Sequence, residues 1–471
     1  MKTTCHIMLL SLALMVLFTR CKKEPEPNVE IQDDHFLNAL IERGVDKDGD
    51  GIISSDEASR IHVLDLSSCG ISELSGIEAF VKLDSLICSF NQLASLDLSE
   101  NKYIKYLRCD NNQLVNLDVS GTKNLFELDC SYNALSTLDV SNNGSLNWLQ
   151  CTMNQLTDLD ISGISSLVYL YFSNNQLSTL DVSGQPHLRY VTCLYNQLTS
   201  LDFSSNPDLR SVDCRINQLA NLEISSNTAL RHLWCSQNQL TTLDVSSCND
   251  LTYLSCDENQ LSSLDVSGNT NLQKLDCGEN LLTSLDVSTN STLERLQCGG
   301  NLLTTLDVSN NLALDFLGCA GNQLTSLDVS QNSILTGISC AANQLTSLDI
   351  SNNPDLDFIS CEENELTSLD VSGNTALASL ICDNNQLSAL DVTHNTALTL
   401  IWCGGNQLTA LDVSKNTSLG DGVGYSACFL EIENMPTLGE VCVWTQPFPP
   451  EGFNLCMDGS PNVYFTTGCS E

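Results

Sequence analysis

The sequence predicts a β-rich solenoid, a chain wound into stacked turns that share one core. Three observations carry this expectation. A 21-residue unit repeats in unbroken register from Leu86 to Asp421, sixteen copies over 336 residues. Within a unit such as Leu254–Lys274, LSCDENQLSSLDVSGNTNLQK, the apolar set is Leu254, Cys256, Leu261, Leu264, Val266 and Leu272. Its Leu-x-Cys start alternates with period two, as a short strand with both residues inward does. Finally, one column is Asn in every unit, from Asn91 to Asn406. A period of this size marks units that cannot bury an apolar face alone and gain a continuous core by stacking. The repeat covers about 70% of the 471 residues, so it overrides a domain count from length.

At the N-terminus, residues 1–21 read as an export signal, with Lys2, an apolar run from Ile7 to Phe18, and Cys21. The run is short for a membrane span. Cys21 resembles the lipid-attachment site of bacterial lipoproteins, although Leu17 to Arg20 depart from its small-residue pattern. Residues 22–33 are charged and proline-containing, as in an extended tether. This implies an outer-membrane lipoprotein at the cell surface, held by a lipid anchor only.

Residues 34–60 hold a short helix and a loop. Phe36, Leu37, Leu40 and Ile41 share one helical face. The loop DKDGDGIISSDE, 46–57, matches the EF-hand pattern. Asp46, Asp48, Asp50 and Ser54 offer oxygen ligands, Ile52 its carbonyl, Gly51 the sharp turn, and Glu57 a bidentate carboxylate at the twelfth position. Ile53 is placed to anchor the loop in the core. One structural calcium is therefore expected, joining tether to solenoid. Residues 61–85 form an irregular first turn that caps the core, with a helical GIEAF stretch.

Inside the repeat, fifteen cysteines occupy one column and Phe172 takes the remaining place. A column that accepts Phe is a packing position, where free Cys acts as a small buried hydrophobe. The Asn column calls for a buried amide that bonds backbone groups where the chain turns. A further column is Asp in fifteen units and Glu223 in the other, on a segment that alternates like a second strand row. Stacked turns set these carboxylates about 5 Å apart, close enough to repel by about 1 kcal/mol in water. Bonds to backbone N–H groups or corner Ser and Thr offset this, with cation binding along the row as the alternative.

The pattern LxxLxCxxNxLxxL resembles a leucine-rich repeat, over residues 61 to about 443. The short unit is similar to internalin-type repeats, and CxxNQLTSLDVS is similar to a group of bacterial surface lipoproteins. The resemblance implies a right-handed superhelix with parallel strands on a concave face, ligand bound there, and a binding or adhesion role.

Function is then expected in the outward positions that vary. Trp148, Tyr169, Tyr171, Arg189, Tyr190, Arg210, Arg215, Arg231, His232, Trp234 and Tyr253 map to one concave patch about six turns wide. Tyr, Trp and Arg are the residues enriched at binding hot spots. A sparser second patch holds Phe316, Phe358, Ile381 and Trp402.

Residues 422–471 break the register. They read as a truncated repeat, with Leu438, Val441 and Val443 in a last strand, and a small hairpin over the core end. Cys428, Cys442, Cys456 and Cys469 lie outside the ladder, so one or two disulfides with three possible pairings are open.

Acidic residues outnumber basic ones 58 to 19, for a net charge of -39. That argues against nucleic acid, since affinity for phosphates rests on Lys and Arg. No nucleophile–base constellation or phosphate-binding glycine loop appears, so an enzyme is not expected. The expected function is a monomeric cell-surface binding or adhesion module for a protein ligand. A glycan-binding surface protein, or a rigid acidic spacer without a single ligand, are the alternatives.

Overall fold

The computed structural model describes residues 27–421 and 428–469; the expected signal and the lipidation site at Cys21 lie outside the described residues. The chain forms two compact units, residues 1–155 and 156–471.

In the first unit, helix α1 (Asp34–Glu42) buries Phe36, Ala39 and Leu40. Asp33 caps it. One carboxylate oxygen accepts from Phe36 N–H at 2.9 Å, and the other accepts from the N–H and O–H of Ser72 at 2.8 and 2.6 Å. One side chain thus satisfies an orphan helical donor and ties the helix to the first turn. Phe36 and Phe80 pack with ring centroids 6.4 Å apart. Helix α2 (Ser55–Ala58) follows the acidic loop and starts on a capping box between Ser54 and Glu57. Ile53 is fully buried, as its place in the loop predicts.

From there, three-residue strands stack in parallel: Val63–Asp65 on Ser85–Ile87, then Tyr106–Arg108, Glu127–Asp129 and Trp148–Gln150. In the second unit a row of the same kind runs from Tyr169–Tyr171 to Leu400–Trp402, and each strand meets the one 21 residues on, as Leu254 meets Leu275. Strands this short have no independent stability. The stack supplies it. Leu254, Cys256, Leu261, Val266 and Leu272 are fully buried, and each buried Leu contributes about 1.5–3 kcal/mol.

Two polar ladders close the turns. The expected one is the Asn91–Asn406 column. The Asn259 amide N–H₂ donates to the carbonyls of Cys235 at 3.0 Å and Cys256 at 3.1 Å, while its oxygen accepts from Leu240 N–H at 3.0 Å. The second ladder went unrecognised in the repeat pattern. Asn101, Asn143, Gln185, Asn206, Asn227 and the Asn column from Asn269 to Asn416 are buried, and each reaches back to carbonyls of the preceding turn. Asn269, for example, donates to Val245 and Cys248, both at 2.9 Å, while its oxygen has no partner. The signal was a 21-residue period, blurred by Thr122, Ile164 and Cys248 in the same column.

The second strand row forms only in places: Ser95–Asp97 with Asn116–Asp118, Ser200–Asp202 with Asn221–Glu223, and Ala410–Asp412 with Glu440–Cys442. The Asp column caps this corner in turns with and without the pairing, Asp97 and Asp412 included. Asp265 accepts from the N–H of Ser267 at 2.9 Å, bending the chain in an Asx turn. Hydrogen bonds from the Ser267 hydroxyl and backbone hold its pKa below the usual carboxylate range. The carboxylates are therefore offset by bonds within their own turn.

The C-terminal end differs from the expected hairpin. Leu430–Glu431 pairs in parallel with Ile401–Trp402, and Leu455–Cys456 pairs in parallel with Leu430–Glu431. Val441 is not in this row: Glu440–Cys442 lies between Ala410–Asp412 and Tyr464–Thr466, again all parallel. The tail keeps winding, because the open edge it meets presents backbone groups already aligned for a parallel turn. Of the three pairings, the structure has Cys428–Cys456 and Cys442–Cys469, with Cα atoms 5.7 and 5.5 Å apart, inside the range a disulfide spans.

Asn259→Ala is expected to destabilise the protein by about 3 kcal/mol or more, because it leaves buried backbone donors and acceptors in two turns unpaired. Urea denaturation followed by circular dichroism measures this; a loss under about 0.5 kcal/mol would mean the ladder is dispensable.

Candidate functional site

The strand row turns alternate residues to solvent, so each turn displays the residue on either side of its buried Leu. In the second unit this brings most of the expected patch together. Tyr169 and Tyr190 pair across adjacent strands and stack, centroids 4.9 Å apart and planes 4° apart. Tyr171 lies 6.4 Å from Tyr169. Two turns on, His232 stacks on Trp234 at 5.5 Å, and Trp234 meets Tyr253 at 5.3 Å. All six rings are half-buried. Trp148 belongs to the first unit, where it pairs with Glu127 on the last strand of that row.

Between the two ring clusters runs Ser211–Asp213, with small or charged side chains. Arg189, Arg210 and Arg231 stand in adjacent turns: Arg210 N–H donates to the Arg189 carbonyl and Arg231 N–H to the Arg210 carbonyl, both at 2.9 Å. Arg215 faces a different partner. Its guanidinium grips Asp213 bidentately at 2.9 and 2.7 Å, so its charge is spent within its own turn. Burial, then the neighbouring Arg231 charge, lowers the pKa of His232, which stays neutral at pH 7. Beside the strand starts, Arg231, His232, Asp250, Thr252, Asn271 and Gln273 line a cleft.

Along the same face, carboxylates sit half-buried. Ser255 O–H donates to Asp257 at 2.8 Å, and Ser236 bonds both. Asp276 is pushed up to about 6 by burial and then by the Asp257 charge. The ladder cysteines are unreactive: burial, then the neighbouring thiol of Cys235, pushes Cys256 far above the ordinary thiol range.

The sparser second patch is packed on itself. The Arg295 guanidinium lies 4.2 Å over the Phe316 ring. Gly337 leaves room for that ring, since a Cβ there would lie 2.8 Å from it. The Trp402 indole N–H donates to the Cys428 carbonyl at 3.0 Å.

In the first unit, the loop at 46–57 gathers Asp46, Asp48 and Asp50, with one carboxylate oxygen of each within 4.8 Å of the others. Backbone N–H groups set this arrangement: Gly49 and Gly51 donate to Asp46, Asp50 to Asp48, and Ile52 to Asp50. Gly51 has φ +81°, the left-handed turn that position demands. Ser54 and Glu57 bond each other. Glu57 accepts from the N–H and O–H of Ser54 and from Lys47 N–H, at 2.9, 2.8 and 2.6 Å. The bonds from Ser54 and then Lys47 lower its pKa. Among the described residues no Lys, Arg or His pairs with the three aspartates. Asp412, Cys442 and Cys469 also converge, but both sulfurs are in the disulfide. No helix among the described residues is long and apolar enough to cross a membrane.

No protein-family model matches the chain, and no curated protein matches it. Solved structures do. The functional domain of InlJ from Listeria monocytogenes, described as including a cysteine ladder, is 35% identical over 77% of this chain and 76% of its own, with a TM-score of 0.66. The leucine-rich-repeat protein LIC12759 of Leptospira interrogans is 25% identical over 70% of this chain and 92% of its own, TM-score 0.62. YopM from Yersinia enterocolitica shares the fold at 24% identity, covering 93% and 97%, TM-score 0.64.

The raised Asp276 makes stability depend on pH. Its folded pKa of about 6 exceeds the unfolded carboxylate value, so its favourable contribution is full below that unfolded value and is lost as pH rises through about 6. Asp276→Asn is therefore expected to stabilise the protein at pH 7.5, with the advantage vanishing near pH 4. Urea midpoints across this range test it; equal midpoints at pH 7.5 would contradict it.

Proposed function

Because the chain belongs to the internalin-like leucine-rich-repeat proteins, we propose that it is a binding module whose strand face recognises a protein partner. The observation that carries this reading is the joining of Tyr169, Tyr171 and Tyr190 on one side, and His232, Trp234 and Tyr253 on the other, about Arg210. Half-buried Tyr and Trp next to Arg make the composition of a binding hot spot. Tyr169 stacks on Tyr190 and His232 on Trp234, so each of these four rings has one face covered by a neighbour. Sugar recognition by stacking needs open faces, and this favours protein over glycan. A tether through Cys21 would set the module at a membrane surface; an unmodified peptide spanning Arg20 and Cys21 in the mature protein would overturn that placement.

A variant carrying Tyr171→Ser, Arg210→Ser and Trp234→Ser is expected to lose partner binding about 100-fold or more, since a single hot spot contributes about 2 kcal/mol. Screening the full chain and this variant on protein and glycan arrays is the test. Hits confined to the glycan array and lost in the variant would replace the reading with carbohydrate binding. Hits on neither array would leave a structural spacer.

We infer that the acidic loop of the first unit holds one structural calcium ion. Asp46, Asp48 and Asp50 already converge without a paired cation, and oxygen donors of this kind suit a hard divalent ion. The Ile52 carbonyl, Ser54 and Glu57 complete the set, the last two by releasing each other. When bound, the ion neutralises three crowded carboxylates. Titration calorimetry on the full chain is expected to show one site, absent in the Asp46→Asn, Asp48→Asn variant. No heat at millimolar calcium would end the proposal.

A further inference from the structure

We propose that the protein partner meets this face with an acidic segment, whose carboxylates seat on the row formed by Arg189, Arg210 and Arg231; the proposal rests on the protein-binding reading above. The row is an exception in the molecule. The chain carries 58 acidic residues against 19 basic ones, so most of its surface repels an acid. Here three guanidinium groups stand in consecutive turns, joined through their own backbones. Neighbouring turns lie about 4.8 Å apart, and like charges at that spacing repel by about 1 kcal/mol in water. Among the described residues, one carboxylate pairs with the row, Asp208 at Arg189.

The local pairing grades the three. Asp208 lies 3.8 Å from Arg189 and takes part of its charge. One turn on, the equivalent position is Ala229, so Arg210 has no carboxylate opposite it. Asp250 holds that position for Arg231 and lines the same cleft, yet forms no ion pair with it among the described residues. Arg210 and Arg231 are both exposed. Arg215, by contrast, is closed off by Asp213. Two exposed guanidinium groups, flanked by tyrosine clusters on one side and by His232, Trp234 and Tyr253 on the other, are set to accept carboxylates and then cover them with ring edges. Guanidinium binds carboxylate in a planar, bidentate manner. An uronic-acid or sulfated glycan would present the same charge. Stacking covers one face of four of the six rings, so an acidic peptide is the class argued for.

The test is selection of a phage-displayed random dodecapeptide library on the full chain. Enriched peptides are expected to carry Asp or Glu beside an apolar or aromatic residue. Replacing those acids by amides is expected to weaken binding about 10-fold, as is Arg210→Ser with Arg231→Ser. Both arginines are exposed, and circular dichroism confirms that the variant is folded. Peptides that need Tyr171 and Trp234 but bind equally well as amides would overturn the acidic preference and leave the protein-binding reading standing. Selected peptides indifferent to Tyr171 and Trp234 would overturn that reading itself. Binding of an uronic-acid polymer, lost in the arginine variant while no peptide is enriched, would overturn the peptide class.

Discussion

Every turn of this protein must hand its backbone polar groups to the next turn at one fixed offset. Strands of three residues leave most of the backbone outside regular pairing, yet the turn corners are buried. The amides of the Asn91–Asn406 column meet that demand, each bonding carbonyls of its own and the preceding turn and accepting from a backbone N–H. An unpaired buried group costs about 1–3 kcal/mol, so a single residue inserted within a turn would misplace several bonds at once. This explains an unbroken 21-residue register over sixteen copies. The second ladder, from Asn101 to Asn416, ties the opposite corner in the same way but leaves one oxygen per amide without a partner. That corner tolerates Thr122, Ile164 and Cys248, whereas the first accepts only Asn.

The same constraint assigns the cysteines their role. Their column lies fully inside, against the Leu column and next to the amide ladder, where burial keeps the thiols protonated. Four other cysteines, Cys428, Cys442, Cys456 and Cys469, lie where the register has ended, and there they form cross-links. Tail turns whose strands pair at unequal spacing lack the repeat's full set of amides. Two disulfides hold them instead, and the chain continues as parallel turns.

With the inside committed, chemistry is confined to side chains that the strand row turns outward. An acidic surface makes any basic site conspicuous, and electrostatic complementarity governs specificity and on-rate more than raw affinity. In the binding role proposed above, the half-buried aromatics supply contact area at low entropic penalty, while the arginine row selects by charge. The acidic loop is separate in sequence and in fold. Its three aspartates are held by backbone N–H groups, so the loop keeps its shape through the glycines at 49 and 51.

Period and residue type were legible because they are local: Leu, Cys and Asn recur at a spacing that only stacked turns satisfy. The buried faces, the reach of the Asn amides and the Asp–Ser corner bonds followed from them. Other features depend on what a side chain meets in three dimensions. Arg215 reads as a free cation in the sequence, yet folding sets it on Asp213. Arg210 is left open because the turn beside it carries Ala229, where its neighbours carry Asp208 and Asp250. Tyr169 and Tyr190 read as members of one patch, and the strand spacing stacks them face to face. Glu57 reads as a ligand, and its carboxylate also caps the helix that follows the loop. A repeating pattern dictates backbone geometry because each turn imposes it on the next; the pairing of charges and rings depends on distances that only the assembled turns define.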